Sequence, residues 1–79
     1  MKRQRNAQLK HLLREIGGMK YPELEAFFDQ LGPHQTQVLY LKASALYDSE
    51  KTEPGNLHSP WADDRDLDIG MMKLYDWVH

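Results

Sequence analysis

The chain has 79 residues, 41% hydrophobic and 28% charged, with net charge −2 and no cysteine. A chain this short buries only roughly 60–65% of the surface its unfolded form exposes, so the core is thin and there is little room for a second domain or a deep substrate cavity. Disulfides and thiolate metal sites are excluded, and no run approaches the ~18 apolar residues of a membrane span.

The N-terminus is charged and has no apolar run behind it, so no secretory leader is expected and the cytoplasm is the expected compartment. Charge is unevenly spread. Residues 1–20 hold six basic groups against Glu15 alone, and the remaining 59 residues hold four basic against eleven acidic groups. The pattern describes a basic arm, residues 1–5, on an acidic body. The plainer alternative is that the two parts neutralise each other within the fold.

Along the chain, Leu9, Leu12, Leu13 and Ile16 fall at i, i+3, i+4 and i+7. That spacing predicts a helix over 6–16, with Asn6 as its N-cap and Gly17-Gly18 as a glycine C-cap. A second helix follows. Pro22 suits a first helical position, Glu23 and Glu25 favour the positive end of the helix dipole, and Leu24, Phe27, Phe28 and Leu31 repeat the apolar stripe. Gly32-Pro33 ends it.

A third helix is predicted from about Pro33 to Tyr47. Val38, Leu41 and Ala45 form one apolar line, and Leu39, Ala43 and Leu46 form its neighbour. A face that broad predicts the central helix of the fold. Residues 48–59 are polar, and Glu53-Pro54-Gly55-Asn56 reads as a type II turn, so this loop is the expected mobile part.

Ser59-Pro60 reads as a second cap-and-proline helix start. Leu67, Met71, Leu74, Tyr75 and Val78 then share one face, with Met72 and Trp77 beside it. Gly70 weakens this segment by roughly 1 kcal/mol against alanine. One helix and two bent pieces over 60–78 are both compatible with the pattern. The whole predicts one domain over residues 1–79, all-α, a small orthogonal or antiparallel bundle of about four short helices.

Few residues suggest chemistry. The histidines His11, His34, His58 and His79 lack metal-ligand spacing. Asp63, Asp64, Asp66 and Asp68 lack the alternating oxygens and terminal glutamate of a calcium loop; complementing a helix dipole accounts for them. Ser44, Ser49 and Ser59 sit in no nucleophile elbow, and there is no glycine-rich phosphate loop. The expectation is a protein that is not an enzyme and uses no cofactor or metal.

Two sets suggest binding. Lys2, Arg3, Arg5, Lys10 and Arg14 could neutralise phosphates of a nucleic acid, or form a solvated helix face. Leu31-Gly32-Pro33 followed by Val38-Leu39 and Leu41 resembles the start of the helix-turn-helix in sigma-factor region four. That family continues with a glycine turn and a recognition helix, whereas here a polar loop with Pro54 follows, so no DNA-reading role is carried over.

The other set is aromatic, Tyr21, Tyr40, Tyr47, Trp61, Tyr75 and Trp77, and its leading binding candidates are Trp61, Trp77, Tyr40 and Tyr47 with the acidic Asp63 and Asp64. Tryptophan and tyrosine are enriched at interface hot spots, and they also close the ends of small cores. The leading expectation is a small regulator or adaptor that binds a larger protein through this surface; size and the lack of catalytic motifs suit a protein carried by a phage or mobile element. Nucleic-acid binding through the basic helix is the alternative, and a homodimer burying leftover apolar surface is a third reading.

Overall fold

The structure, a computed structural model, describes residues 2–51 and 60–79, with the side chains of 2–5 excepted. Among the described residues there are four helices and no strand: α1 (Lys2–Gly18), α2 (Tyr21–Leu31), α3 (Pro33–Glu50) and α4 (Arg65–Val78). The expected all-α bundle is what forms.

The apolar stripes explain which faces turn inward. Leu13 and Ile16 of α1, Leu24 and Phe28 of α2, Leu39, Ala43 and Leu46 of α3, and Leu67 and Leu74 of α4 make the core, joined by Trp61 from the turn before α4. Each fully buried leucine contributes about 1.5–3 kcal/mol relative to exposure. On α3 only one of the two apolar lines is core. Leu41 is exposed, while Thr36 is buried in line with Leu39 and Ala43 and donates its hydroxyl to the Gly32 carbonyl at 2.7 Å.

The dominant packing is between α1 and α4; α3 packs on α4 and α2. The central pair is therefore α1–α4, and α3 is not the hub that its broad apolar face suggested. The reason lies in two glycines. A Cβ on Gly70 would stand 2.7 Å from the Leu13 carbonyl carbon and nearer still to its oxygen. A Cβ on Gly17 would meet the Asp66 carbonyl group and come within 3.0 Å of the Gly70 nitrogen. The two backbones touch, and only residues without side chains allow it.

Several local expectations change accordingly. Helix α1 begins at Lys2, so Asn6 lies inside it and caps nothing. Gly17-Gly18 is not a left-handed cap: both residues are helical, and Gly32 is the only described glycine with positive φ, at 90°. The end of α1 is capped from another helix instead. Lys73 of α4 donates its ammonium to the carbonyls of Gly17 at 3.0 Å and Met19 at 2.6 Å.

Gly32 alone joins α2 to α3. Its N–H donates to the Phe28 carbonyl, and its own carbonyl accepts from the Thr36 N–H, both at 2.9 Å. Helix α3 runs three residues past Tyr47, to Glu50. The Ser59-Pro60 signature does not start a helix: residues 60–63 form a turn, and α4 begins at Arg65 with Asp64 as N-cap, its carboxylate accepting from the Leu67 N–H at 3.3 Å. One helix, not two pieces, follows. The Glu53–Asn56 turn lies outside the described residues. No described helix is long and apolar enough to cross a membrane.

The glycines give a test with opposite signs. Gly70→Ala gains about 1 kcal/mol of helix propensity but forces a methyl into the Leu13 carbonyl, and overpacking of this kind costs about 1–3 kcal/mol or more. The clash wins, so the urea midpoint falls. Gly18→Ala meets nothing within 4 Å and raises stability by about 0.4–1 kcal/mol. Urea unfolding of the two variants checks both.

Candidate protein-binding surface

The last two turns of α4 carry two of the exposed large hydrophobic side chains. Tyr75 is 49% exposed and Met72 59%. They lie three residues apart and so share a helix edge. His79 continues the row: its ring stacks on Tyr75 at 4.4 Å between centroids and meets Tyr40 of α3 edge-on at 5.3 Å. The His79 Nε2 and the Tyr40 hydroxyl lie 3.3 Å apart, and Tyr40 and Tyr75 are 6.1 Å apart. The three rings hold one another in place, which removes rotamer freedom before any partner arrives.

Towards the middle of α4, a hollow of about 280 Å³ opens between Tyr47, Asp68, Met71, Met72 and Tyr75. On the other flank, Trp77 is half-buried, lying over Phe28 at 4.9 Å and 6.2 Å from the ring of Tyr21, which is 67% exposed. Met19, Tyr21, Leu24, Lys73, Asp76 and Trp77 line an open cleft of about 600 Å³ there. Its lysine is already engaged by the α1 carbonyls, and Asp76 is an exposed carboxylate at its rim.

Of the sequence-expected set, the structure places Tyr40 and Tyr47 on one flank of α4 and Trp77 on the other. It separates the others. Trp61 is 2% exposed: its indole N–H donates to Glu50 at 3.0 Å, and its ring meets Tyr47 edge-on at 5.0 Å. It is a core residue with no ring face to offer. Asp63 is exposed at the opposite end of α4, and Asp64 is engaged as its N-cap. The distance between the two ends of a 14-residue helix is about 20 Å at 1.5 Å per residue.

Met72 and His79 are not among the residues expected at a binding surface; Tyr21 and Tyr75 belong to the expected aromatic set but not to its leading candidates. Periodicity puts Tyr75 on the edge of the core face, and only the position of α3 shows that this edge stays open. The seven-residue spacing of Tyr40 and Tyr47 was the available signal that α3 presents tyrosines along one side.

Two of the five residues of the basic set are paired. Lys10 binds both oxygens of Glu50, at 2.8 and 3.0 Å. Arg14 donates to Asp64 at 2.7 Å, and His11 pairs with Glu15 at 3.0 Å. Lys2, Arg3 and Arg5 stand in the opening turns of α1. The next helix after α3 is α4, which opens with Asp66 and Asp68; that charge is opposite to what a phosphate-facing recognition helix carries. Among the described residues, no group of three histidine or carboxylate side chains is placed to hold a metal ion.

Two carboxylates are perturbed. Burial alone would raise Glu50; hydrogen bonds from Lys10 and Trp61, and the Lys10 charge, outweigh it and hold the group below its usual value. The hydrogen bond from Arg14 holds Asp64 below its usual value against partial desolvation, with help from the Leu67 N–H. A depressed carboxylate contributes stability that is present above the unfolded value and is lost as pH falls through the folded one.

The protein should therefore lose stability below about pH 4. Glu50→Gln keeps an acceptor for Trp61 but abolishes the ion pair with Lys10. It should cost on the order of 1 kcal/mol at neutral pH, because the pair is partly exposed, and flatten the acid limb. Thermal melts from neutral pH to about pH 2.5, followed by tryptophan fluorescence, read both effects; an unchanged acid limb would count against the Glu50 assignment.

No family model matches the chain, and no curated protein or solved structure matches it either.

Proposed function

We propose that the chain is a non-enzymatic protein-binding module, a small regulator or adaptor that docks a larger protein through the last two turns of α4 and the tyrosines beside them. The observation that carries this reading is the exposed row Met72, Tyr75 and His79, braced by Tyr40. Tyrosine and methionine are enriched at interface centres, where lysine and glutamate are depleted. Ring contacts that already fix Tyr75 reduce the side-chain entropy lost on binding. The neighbouring Met71 and Met72 adapt to an irregular partner surface. Asp76 gives the rim a negative charge, so a partner with arginine or lysine around an apolar centre fits best.

The test is affinity capture from a lysate of the native host, with and without nuclease, comparing the wild type with the double variant Met72→Ser, Tyr75→Ser. Both side chains are exposed, so far-ultraviolet circular dichroism stays helical. A stoichiometric protein that survives nuclease and falls at least about tenfold with the double variant, a loss of about 1.4 kcal/mol, is the expected outcome. Undiminished capture by the double variant sinks the proposal. A partner that vanishes with nuclease would move the reading to nucleic acid and to Lys2, Arg3 and Arg5.

A further inference from the structure

A second surface lies on another side of the molecule. Because α1 is drawn onto α4, it diverges from α3, and an open groove of about 780 Å³ runs between them. Its apolar floor is Leu9 and Leu12 of α1 with Leu39 and Leu46 of α3, and Ala45 leaves the α3 wall low. Leu9 and Leu12 are only half-buried, although they belong to the same stripe as the fully buried Leu13 and Ile16. The stripe of α1 is thus wider than the surface α4 covers.

Lys42 stands on the groove wall, and among the described residues it has no acidic partner. It is the one charged residue of the lining, and Glu50, beside the lining residue Ser49, is already paired with Lys10. Asn6, Gln8 and Ser49 complete the lining without charge.

We infer that the groove between α1 and α3 seats an amphipathic helix of a partner protein, with leucine-type residues on one face and acidic residues on its flanks. The apolar face replaces the neighbour that α1 and α3 lack along this groove, and a flanking carboxylate meets Lys42. Complementary charge selects the partner and its orientation. The inference does not depend on the α4 surface, and together the two would let the chain bridge two proteins.

The probe is a fluorescein-labelled peptide of about four helical turns, with leucines at i, i+4, i+7 and i+11 and glutamates on the flanks, read by anisotropy at low salt. A second peptide carries lysines in place of the glutamates. The acidic peptide should bind the wild type at least about tenfold more tightly than the basic one. Lys42→Glu should weaken it about tenfold, and Ala45→Trp, which fills the groove from an exposed position, should abolish binding. The Met72→Ser, Tyr75→Ser variant should bind it as the wild type does, which separates this surface from the α4 surface.

Failure of both peptides to bind, or equal binding of both, overturns the inference. A dimer seen by sedimentation that Ala45→Trp dissolves would overturn it in favour of a second copy of this chain as the occupant.

Discussion

The direct backbone contact between α1 and α4 governs the rest of the structure. Gly70 sits under the Leu13 carbonyl and Gly17 under that of Asp66, with no side chain between them. A glycine inside a helix costs about 1 kcal/mol. Here it allows Leu13, Ile16, Leu67 and Leu74 to be fully or almost fully enclosed, each contributing about 1.5–3 kcal/mol. For a thin core the balance favours closeness over local helix propensity. The contact also sets the register that places Lys73 over the open carbonyls at the end of α1. The same closeness leaves α3 with no neighbour along the outer side of α1.

Charge then fixes which surfaces stay available. The basic N-terminal helix and the acidic remainder meet inside the fold, through Lys10 with Glu50 and Arg14 with Asp64, bridging 40 and 50 residues of sequence. Partly exposed pairs of this kind contribute at most about 1 kcal/mol each. Their larger effect is to engage Lys10 and Arg14 within the fold, and to provide the acceptor that satisfies the buried Trp61 indole. A buried indole without a partner would cost about 1–3 kcal/mol, so Glu50 serves packing as well as charge.

What could be read from the sequence divides along physical lines. The stripes of α1 and α2 were legible because periodicity is local and strong. The bounds were less so: Pro60 and Asp64 both carry helix-start chemistry, and only the packing of Trp61 against Tyr47 selects the later one. The glycines were misread for a deeper reason. In one dimension Gly17 is a cap and Gly70 a defect, because the atom that explains each lies on another helix, some fifty residues away. Trp61 and Trp77 are equivalent in composition, yet one is enclosed and the other half-open. The hydrogen bond to Glu50 and the ring of Tyr47 decide that, and neither follows from spacing. Of the candidate surface, Tyr21, Tyr40, Tyr47, Tyr75 and Trp77 are legible as aromatic residues, but the exposure of Tyr75 is not, because its edge is open only where α3 stops covering it.

Exposed apolar side chains are common on small folds, and a single one such as Leu41 carries no information. What distinguishes the end of α4 is mutual order. Tyr40, Tyr75 and His79 contact one another in all three pairings, and on the opposite flank Trp77 is set between Phe28 and Tyr21. Rings left over from an imperfect core would gain nothing from such an arrangement beyond their own contact area. A surface that meets another protein gains twice, because fixed rings lose less entropy on docking and keep a defined shape for it. The α1–α3 groove is a different case: an apolar floor of leucines with Lys42 on its wall. The groove follows the α1–α4 contact: Gly17 and Gly70 bring those two helices together, and Leu9 and Leu12, at the edge of the α1 stripe, stay half-buried.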